Sequence, residues 1–220
     1  MNRRSSLKKH RQDRVKEEIL EASRSVLLNE GFAGLTLAAV ARELELTKAA
    51  LYYYFPSKEA IVFELIYLSL ESHARVVGDA TAGTTSGAAA LEALIRTSAA
   101  DYGGRMDELR LAYLVPQVAA AGGANFGRDA LHRIRPFNEV LYGGVADKIR
   151  ADQRIGRIDD TVDGRRLAFL AHTSVLGMLI VEGLVAVADT APLIHSRQAM
   201  VDELVCTFTA RLRGRTSARS

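Results

Sequence analysis

LAAVARELELTKAALYYYFPSK, residues 37–58, dictates the architecture of the chain around it. Leu37, Val40, Ala41 and Leu44 recur at the i, i+3, i+4, i+7 spacing of a helix with one buried face, and Thr36 stands before them as an N-cap. Thr47 offers a second N-cap, and Lys48 to Tyr54 continue as helix formers until Phe55 and Pro56 end the run. Two short helices thus flank a tight turn. Isolated helices under roughly 12 residues are marginal in water, so both must pack on a third element. Leu51 and Phe55, four apart, form the inward stripe of the second helix, which directs Tyr52 and Tyr53 outward, and the small Ala49 and Ala50 permit close approach to a groove floor. A recognition helix has this surface. The competing reading is a helical hairpin with an aromatic core.

The run TKAALYYYFPSKEAI, preceded by LAAVARELEL, closely resembles the helix-turn-helix of the TetR/AcrR family of bacterial transcriptional regulators. The resemblance extends from about Arg14 to Glu64; the rest of the chain matches only in length and helical character. Glu45 and Ala49 stand where the family often has glycine, and Tyr54 where it often has histidine. The resemblance implies an all-α protein with an N-terminal three-helix DNA-binding domain and a larger C-terminal helical domain for ligand binding and dimerisation. From geometry and resemblance together, Thr36, Thr47, Tyr53 and Lys58 are the expected phosphate contacts, and Lys48, Ala49 and Tyr52 the residues expected to approach base edges.

Composition fits that division. The 220 residues are 48% hydrophobic and 25% charged, ordinary for a globular chain and enough for one small and one larger domain. Met1 to Lys58 carry 11 Lys and Arg against 7 Asp and Glu, net +4, which leaves the remainder at net −1. Only the first quarter is basic. MNRRSSLKKHR, without an acidic residue, reads as a mobile cationic arm over residues 1–12, of the kind that follows DNA backbones or minor grooves; a merely solvated terminus is the rival reading. No apolar segment follows these cations, so a secretory signal is not expected. The single Cys206 excludes an internal disulfide, and a reducing cytoplasm is the expected compartment.

An amphipathic helix from about Asp13 places Val15, Ile19, Ala22 and Val26 on one face and ends at Asn29-Glu30-Gly31; it supplies the partner for the two short helices, giving a DNA-binding domain over residues 13–56. Ser57 caps a fourth helix running to about Val77, followed by a loop over Gly78–Gly87; this helix is the expected lever between the DNA reader and the domain over 57–220. Further helices are expected at Ala88–Tyr102, at Arg105–Ala121 with a kink at Pro116, and at Asn125–Asp152 with breaks at Pro136 and Gly143-Gly144. Arg166–Asp189 is apolar nearly all round, so burial on every side is expected; Glu182 within it argues against a membrane span. Leu193–Arg213 carries a stripe including Leu204, Val205, Phe208 and Leu212. Two terminal helices with surplus apolar surface suggest a homodimer, as the resemblance also implies, with Leu179, Leu204, Val205 and Phe208 at its interface.

Catalytic and metal-binding patterns are not found. His10, His73, His132, His172 and His195 lie far apart with no second histidine or cysteine at i+3 or i+4 in the manner of a zinc site, and GTTSG lacks the order of a nucleophile elbow. Neither enzyme nor metal nor cofactor is expected. Tyr102, Tyr113, Gln117, Phe126, Asn138, His172 and Met178 are the candidates for lining a mostly apolar effector pocket. The function expected is a ligand-responsive regulator, a repressor that binds a pseudo-palindromic operator in double-stranded DNA as a homodimer and is released by a small, largely apolar effector. The alternative is a DNA-binding regulator without a small-molecule ligand.

Overall fold

The computed structural model describes the backbone of residues 3–188 and 195–213, and the side chains there except those of residues 3–8, 127–131 and 184–188. All regular structure among the described residues is helical: α1 Arg3–Gly34, α2 Leu37–Glu43, α3 Lys48–Tyr54, α4 Lys58–Ala82, α5 Gly87–Gly104, α6 Met106–Leu109, α7 Val115–Ala121, α8 Gly127–Asn138, α9 Gly144–Arg154, α10 Gly164–Ala188 and α11 Arg197–Ala210. Two π-turns, Arg110–Leu114 and Glu139–Gly143, interrupt the middle of the chain. The helices pack as two units, one of residues 1–69 and 110–133, the other of 70–109 and 134–220.

In the first unit α1 packs on α2, and α2 on α3. Ile19, Leu35, Val40, Leu51 and Ile61 are fully buried, and Phe55 is nearly so. This is the packing that helices of seven residues require. α1 begins at Arg3, ten residues before the expected start near Asp13, because nothing between Arg3 and Asp13 breaks a helix. The residues read as an arm, from Arg3 onward, are therefore the first turns of α1; Met1 and Asn2 lie outside the described residues. Gly31, at φ 73°, interrupts α1 where the sequence places its stop. The segment 110–133 joins this unit through α7, which packs on α1, and through Arg133. Arg133 stacks over Tyr67 at 4.3 Å and Phe63 at 5.0 Å, and both its terminal nitrogens donate to Glu64 Oε2 at 3.1 Å. Lys16 donates to the other oxygen at 2.9 Å. Burial raises the Glu64 pKa, but these two cations outweigh it and hold the carboxyl below its usual value.

In the second unit α5 is central, packed by α9, α10 and α11. Leu91, Leu94, Ile95, Tyr102, Ile149 and Leu179 are fully buried there. The buried N-terminus of α5 is satisfied by Asp152, whose Oδ2 accepts from Gly87 N at 2.7 Å, and a Cβ on Gly87 would stand 2.7 Å from Ile149 Cγ1. α4 runs to Ala82, past the expected end at Val77. Gly78 is thus helical rather than the start of a loop: a Cβ at that position would lie 2.6 Å from Val140 Cγ1, so its smallness serves helix packing.

The two prolines act differently from a simple break. Pro116 sits in the first turn of α7, where a missing N–H costs nothing, and the ladder before it widens into a π-turn; Pro136 stays inside α8 and a π-turn follows. α10 is not buried on every side. Phe169, Leu170 and Val181 are 49%, 48% and 52% exposed, so one face is only partly covered by the described residues. α10 is also long and apolar enough over Gly164–Gly183 to cross a membrane by length and composition. Its acidic residue Glu182 accepts from Arg197 Nη2 at 2.6 Å, and Arg197 Nη1 donates to Gly103 O at 3.0 Å. The end residues Asp189 and Leu193 of the expected terminal helices lie outside the described residues.

Candidate nucleic-acid interface

Both N-caps form as their spacing predicts. Ala39 N donates to Thr36 Oγ1 and Ala50 N to Thr47 Oγ1, each at 3.1 Å, which leaves both hydroxyl protons for another acceptor. The connection closes with Leu46 N on Ala41 O at 2.8 Å and Glu45 N on Arg42 O at 3.3 Å. That pairing puts the residue after the cap in the left-handed region, and Glu45 is there at φ 54°. Glutamate at this position costs on the order of 1 kcal/mol relative to glycine, yet the turn closes in the usual way.

α3 separates its faces cleanly. Leu51 and Phe55 are buried at 0% and 4% exposure, whereas Tyr52 and Tyr53 are 54% and 71% exposed. Lys48 and Ala49 are exposed at its start. Leu35, Thr36, Leu37, Ala38, Lys48, Tyr52, Pro56, Ser57 and Lys58 line a concavity of about 450 Å³. It gathers four of the seven candidate DNA contacts, Thr36, Lys48, Tyr52 and Lys58; Thr47, Ala49 and Tyr53 are on α3 or its cap. Lys58 already has a partner in its own chain, since Nζ donates to Phe32 O at 3.3 Å and lies 4.1 Å from the Phe32 ring centre. An ammonium has two further donors, so the cation ties α4 to the last turn of α1 and still faces the concavity.

The family model of bacterial regulatory proteins of the tetR family matches residues 19–65, the span that holds this helix-turn-helix. The chain carries a tetR-family DNA-binding domain. Solved structures agree in fold along nearly its whole length. A tetR-family regulatory protein from Rhodococcus RHA1 has a TM-score of 0.67 at 12% identity, over 90% of this chain and 96% of that one. A TetR transcription regulator from Haloarcula marismortui has 0.63 at 21%, over 90% and 95%. The transcriptional regulator FadR from Bacillus subtilis, in complex with stearoyl-CoA, has 0.62 at 13%, over 90% and 99%. No curated protein matches the sequence. The matched span, with its DNA-binding helix-turn-helix, lies within the first unit.

The candidate effector residues do not come together in one unit. Tyr113, Gln117 and Phe126 belong to the first, where Phe126 packs against Phe63 at 6.3 Å between ring centres. Tyr102, Asn138, His172 and Met178 belong to the second, with Asn138 exposed. Tyr102 is buried and stacks on His73 at 3.8 Å.

His172 is part of a buried chain that the sequence conceals, because its partners are up to 99 residues away. His73 Nδ1 lies 2.7 Å from Asp101 Oδ2, the two histidine Nε2 atoms are 3.2 Å apart, and Tyr142 Oη lies 2.8 Å from His172 Nδ1. One proton arrangement satisfies every atom: His73 Nδ1–H donates to Asp101, His172 Nε2–H donates to His73, and the Tyr142 hydroxyl donates to His172. Both imidazoles are then neutral, so Asp101 makes a hydrogen bond here rather than an ion pair. Burial lowers the pKa of His73, and lowers that of His172 to about 3; it pushes Tyr142 up to about 12. With both ring nitrogens engaged, His172 has none left for a ligand. Among the described residues no group of three or more His, Cys, Asp or Glu is placed to hold a metal ion.

The candidate dimer residues divide by exposure. Leu179 and Val205 are buried in the chain's own core, Leu204 and Phe208 are half-buried, and Phe169, Leu170, Val181 and Met200 are the exposed large apolar residues of the same two helices among the described side chains.

Proposed function

We infer that this TetR-family regulator is a homodimeric repressor that binds a pseudo-palindromic operator and is released by a small, largely apolar effector. The observation that carries the DNA-binding half is the concavity in which Thr36, Lys48, Tyr52 and Lys58 meet beside exposed Tyr53. Thr36, Thr47, Tyr53 and Lys58 take phosphates, which fix register without reading sequence; Lys48, Ala49 and Tyr52 approach base edges. Residues 13–56 are the DNA-binding domain, preceded by a basic segment over 1–12, and residues 57–220 bind effector and dimerise. The protein works in the cytoplasm.

Dimerisation is supported by the partly covered face of α10 and the half-buried Leu204 and Phe208 of α11; Leu179 and Val205 back that face from within. Effector binding is supported by a groove of about 470 Å³ in the second unit, with Ala74, Gly78, Ala82, Val140 and Gly144 along it and Arg75 and Lys148 among its polar residues. The stearoyl-CoA held by the Bacillus subtilis FadR is a precedent for an effector with a long apolar part. Tyr102, Tyr113, Gln117, Phe126, Asn138 and Met178 remain the sequence's candidates for lining an effector pocket, although none of them lines this groove; His172 would serve by shape alone.

A screen of apolar compounds against the DNA complex tests this. An effector that releases DNA must bind the two states unequally, and a coupling of roughly 1–3 kcal/mol corresponds to about a 5- to 150-fold loss of DNA affinity. If no compound in a broad screen raises the melting temperature or releases DNA, the regulator works without a small ligand.

A further inference from the structure

We propose that Gln12 is a positioning residue for DNA binding: its side-chain amide donates to the Tyr53 hydroxyl and thereby turns that hydroxyl's own proton toward a backbone phosphate. The proposal rests on Tyr53 being a phosphate contact. Gln12 Nε2 lies 3.0 Å from Tyr53 Oη, across 41 residues of sequence. The contact exists because α1 is helical from Arg3, which carries Gln12 on the same rigid element as the core residues Ile19 and Val26. Residues read as a loose arm thereby gain a fixed position beside the recognition helix.

Tyr53 needs such a partner. Its ring is 71% exposed and has an edge contact with Tyr54 at 5.2 Å and 87°, which constrains the ring but not the hydroxyl. A phenol has one proton and accepting lone pairs, whereas an amide nitrogen can only donate. With Gln12 donating, the oxygen is occupied as an acceptor and the proton must point to something else. At a DNA surface that something is a phosphate oxygen. Accepting one hydrogen bond also polarises the O–H and strengthens it as a donor. The exposed side chain is ordered before DNA arrives, so less freedom is lost on binding.

The test is a double-mutant cycle of Gln12→Ala and Tyr53→Phe, read as the Kd for a random-sequence duplex of about three helical turns at low salt, since a phosphate contact is independent of sequence. Tyr53→Phe and Gln12→Ala are each expected to weaken binding about 2- to 10-fold. Gln12→Ala should have no further effect once the Tyr53 hydroxyl has been removed. Neither change removes a charge, so the salt dependence should match the parent protein, and because the Gln12–Tyr53 hydrogen bond is exposed the melting temperature should too. If Gln12→Ala weakens binding equally in the Tyr53→Phe background, lowers the melting temperature, or does nothing while Tyr53→Phe weakens binding, the positioning role is wrong. If Tyr53→Phe alone leaves Kd unchanged, the phosphate contact itself is wrong, and the proposal falls with it.

Discussion

Glu45 and His172 are single residues whose environments set measurable energies. Glu45 occupies the left-handed position of the α2–α3 turn at φ 54°, so Glu45→Gly should stabilise the protein by about 1 kcal/mol in denaturant unfolding. An unchanged or lower midpoint would mean that the Glu45 side chain supports the turn in some other way. His172 has its pKa lowered by burial, and next by the repulsion a protonated His73 would exert, from an ordinary 6.5 to about 3. A group with a depressed folded pKa binds fewer protons when folded than when unfolded. Its contribution to stability is therefore complete above about pH 6.5 and is lost progressively as pH falls toward about 3. His73 shifts the same way, again mainly through burial, with the nearby Asp101 opposing and Arg105 adding to the shift. Unfolding titrations should show stability falling on the acid side of neutrality, and His172→Phe should flatten that fall. A His172→Phe protein with the same acid limb as the parent would show that His172 does not contribute to the fall.

Helices reveal which signals are local and which are not. The caps at Thr36 and Thr47, the stop at Gly31, and the inward pair Leu51 and Phe55 are legible in the sequence because each depends on residues within a few positions. The C-terminal end of α4 is not legible. Gly78, in a polar, small-residue run, looks like a loop until Val140 is packed against it, and that contact crosses 62 residues. The histidine chain is hidden for the same reason, and so is the division of the effector candidates between two units. α10 departs in the other direction: its apolar pattern predicts burial on every side, yet Phe169, Leu170 and Val181 are about half exposed. If α10 and α11 pair with a second copy, Leu204→Glu should give monomers in sedimentation with the helix-turn-helix still folded. A parent protein already monomeric at micromolar concentration, or a Leu204→Glu protein that stays dimeric, would contradict that interface.

Over the whole molecule, a basic first quarter coincides with a helix-turn-helix whose exposed residues are tyrosine, lysine and alanine, while the remaining net charge is slightly negative. Charge and shape agree on where nucleic acid binds. Whether the α2–α3 surface reads DNA is decided by binding isotherms across salt, with the parent protein, Lys58→Ala and Tyr52→Ala measured on a pool of duplex sequences. The parent's log K should fall linearly with log salt. Lys58→Ala should weaken binding to every sequence alike and reduce that slope by about 1. It should also lower the melting temperature slightly, because Lys58 holds the Phe32 carbonyl. Tyr52→Ala should leave the slope unchanged and broaden the range of sequences bound. If both variants bind the pool with the parent's affinity, slope and preference, the α2–α3 surface is not the one that meets DNA.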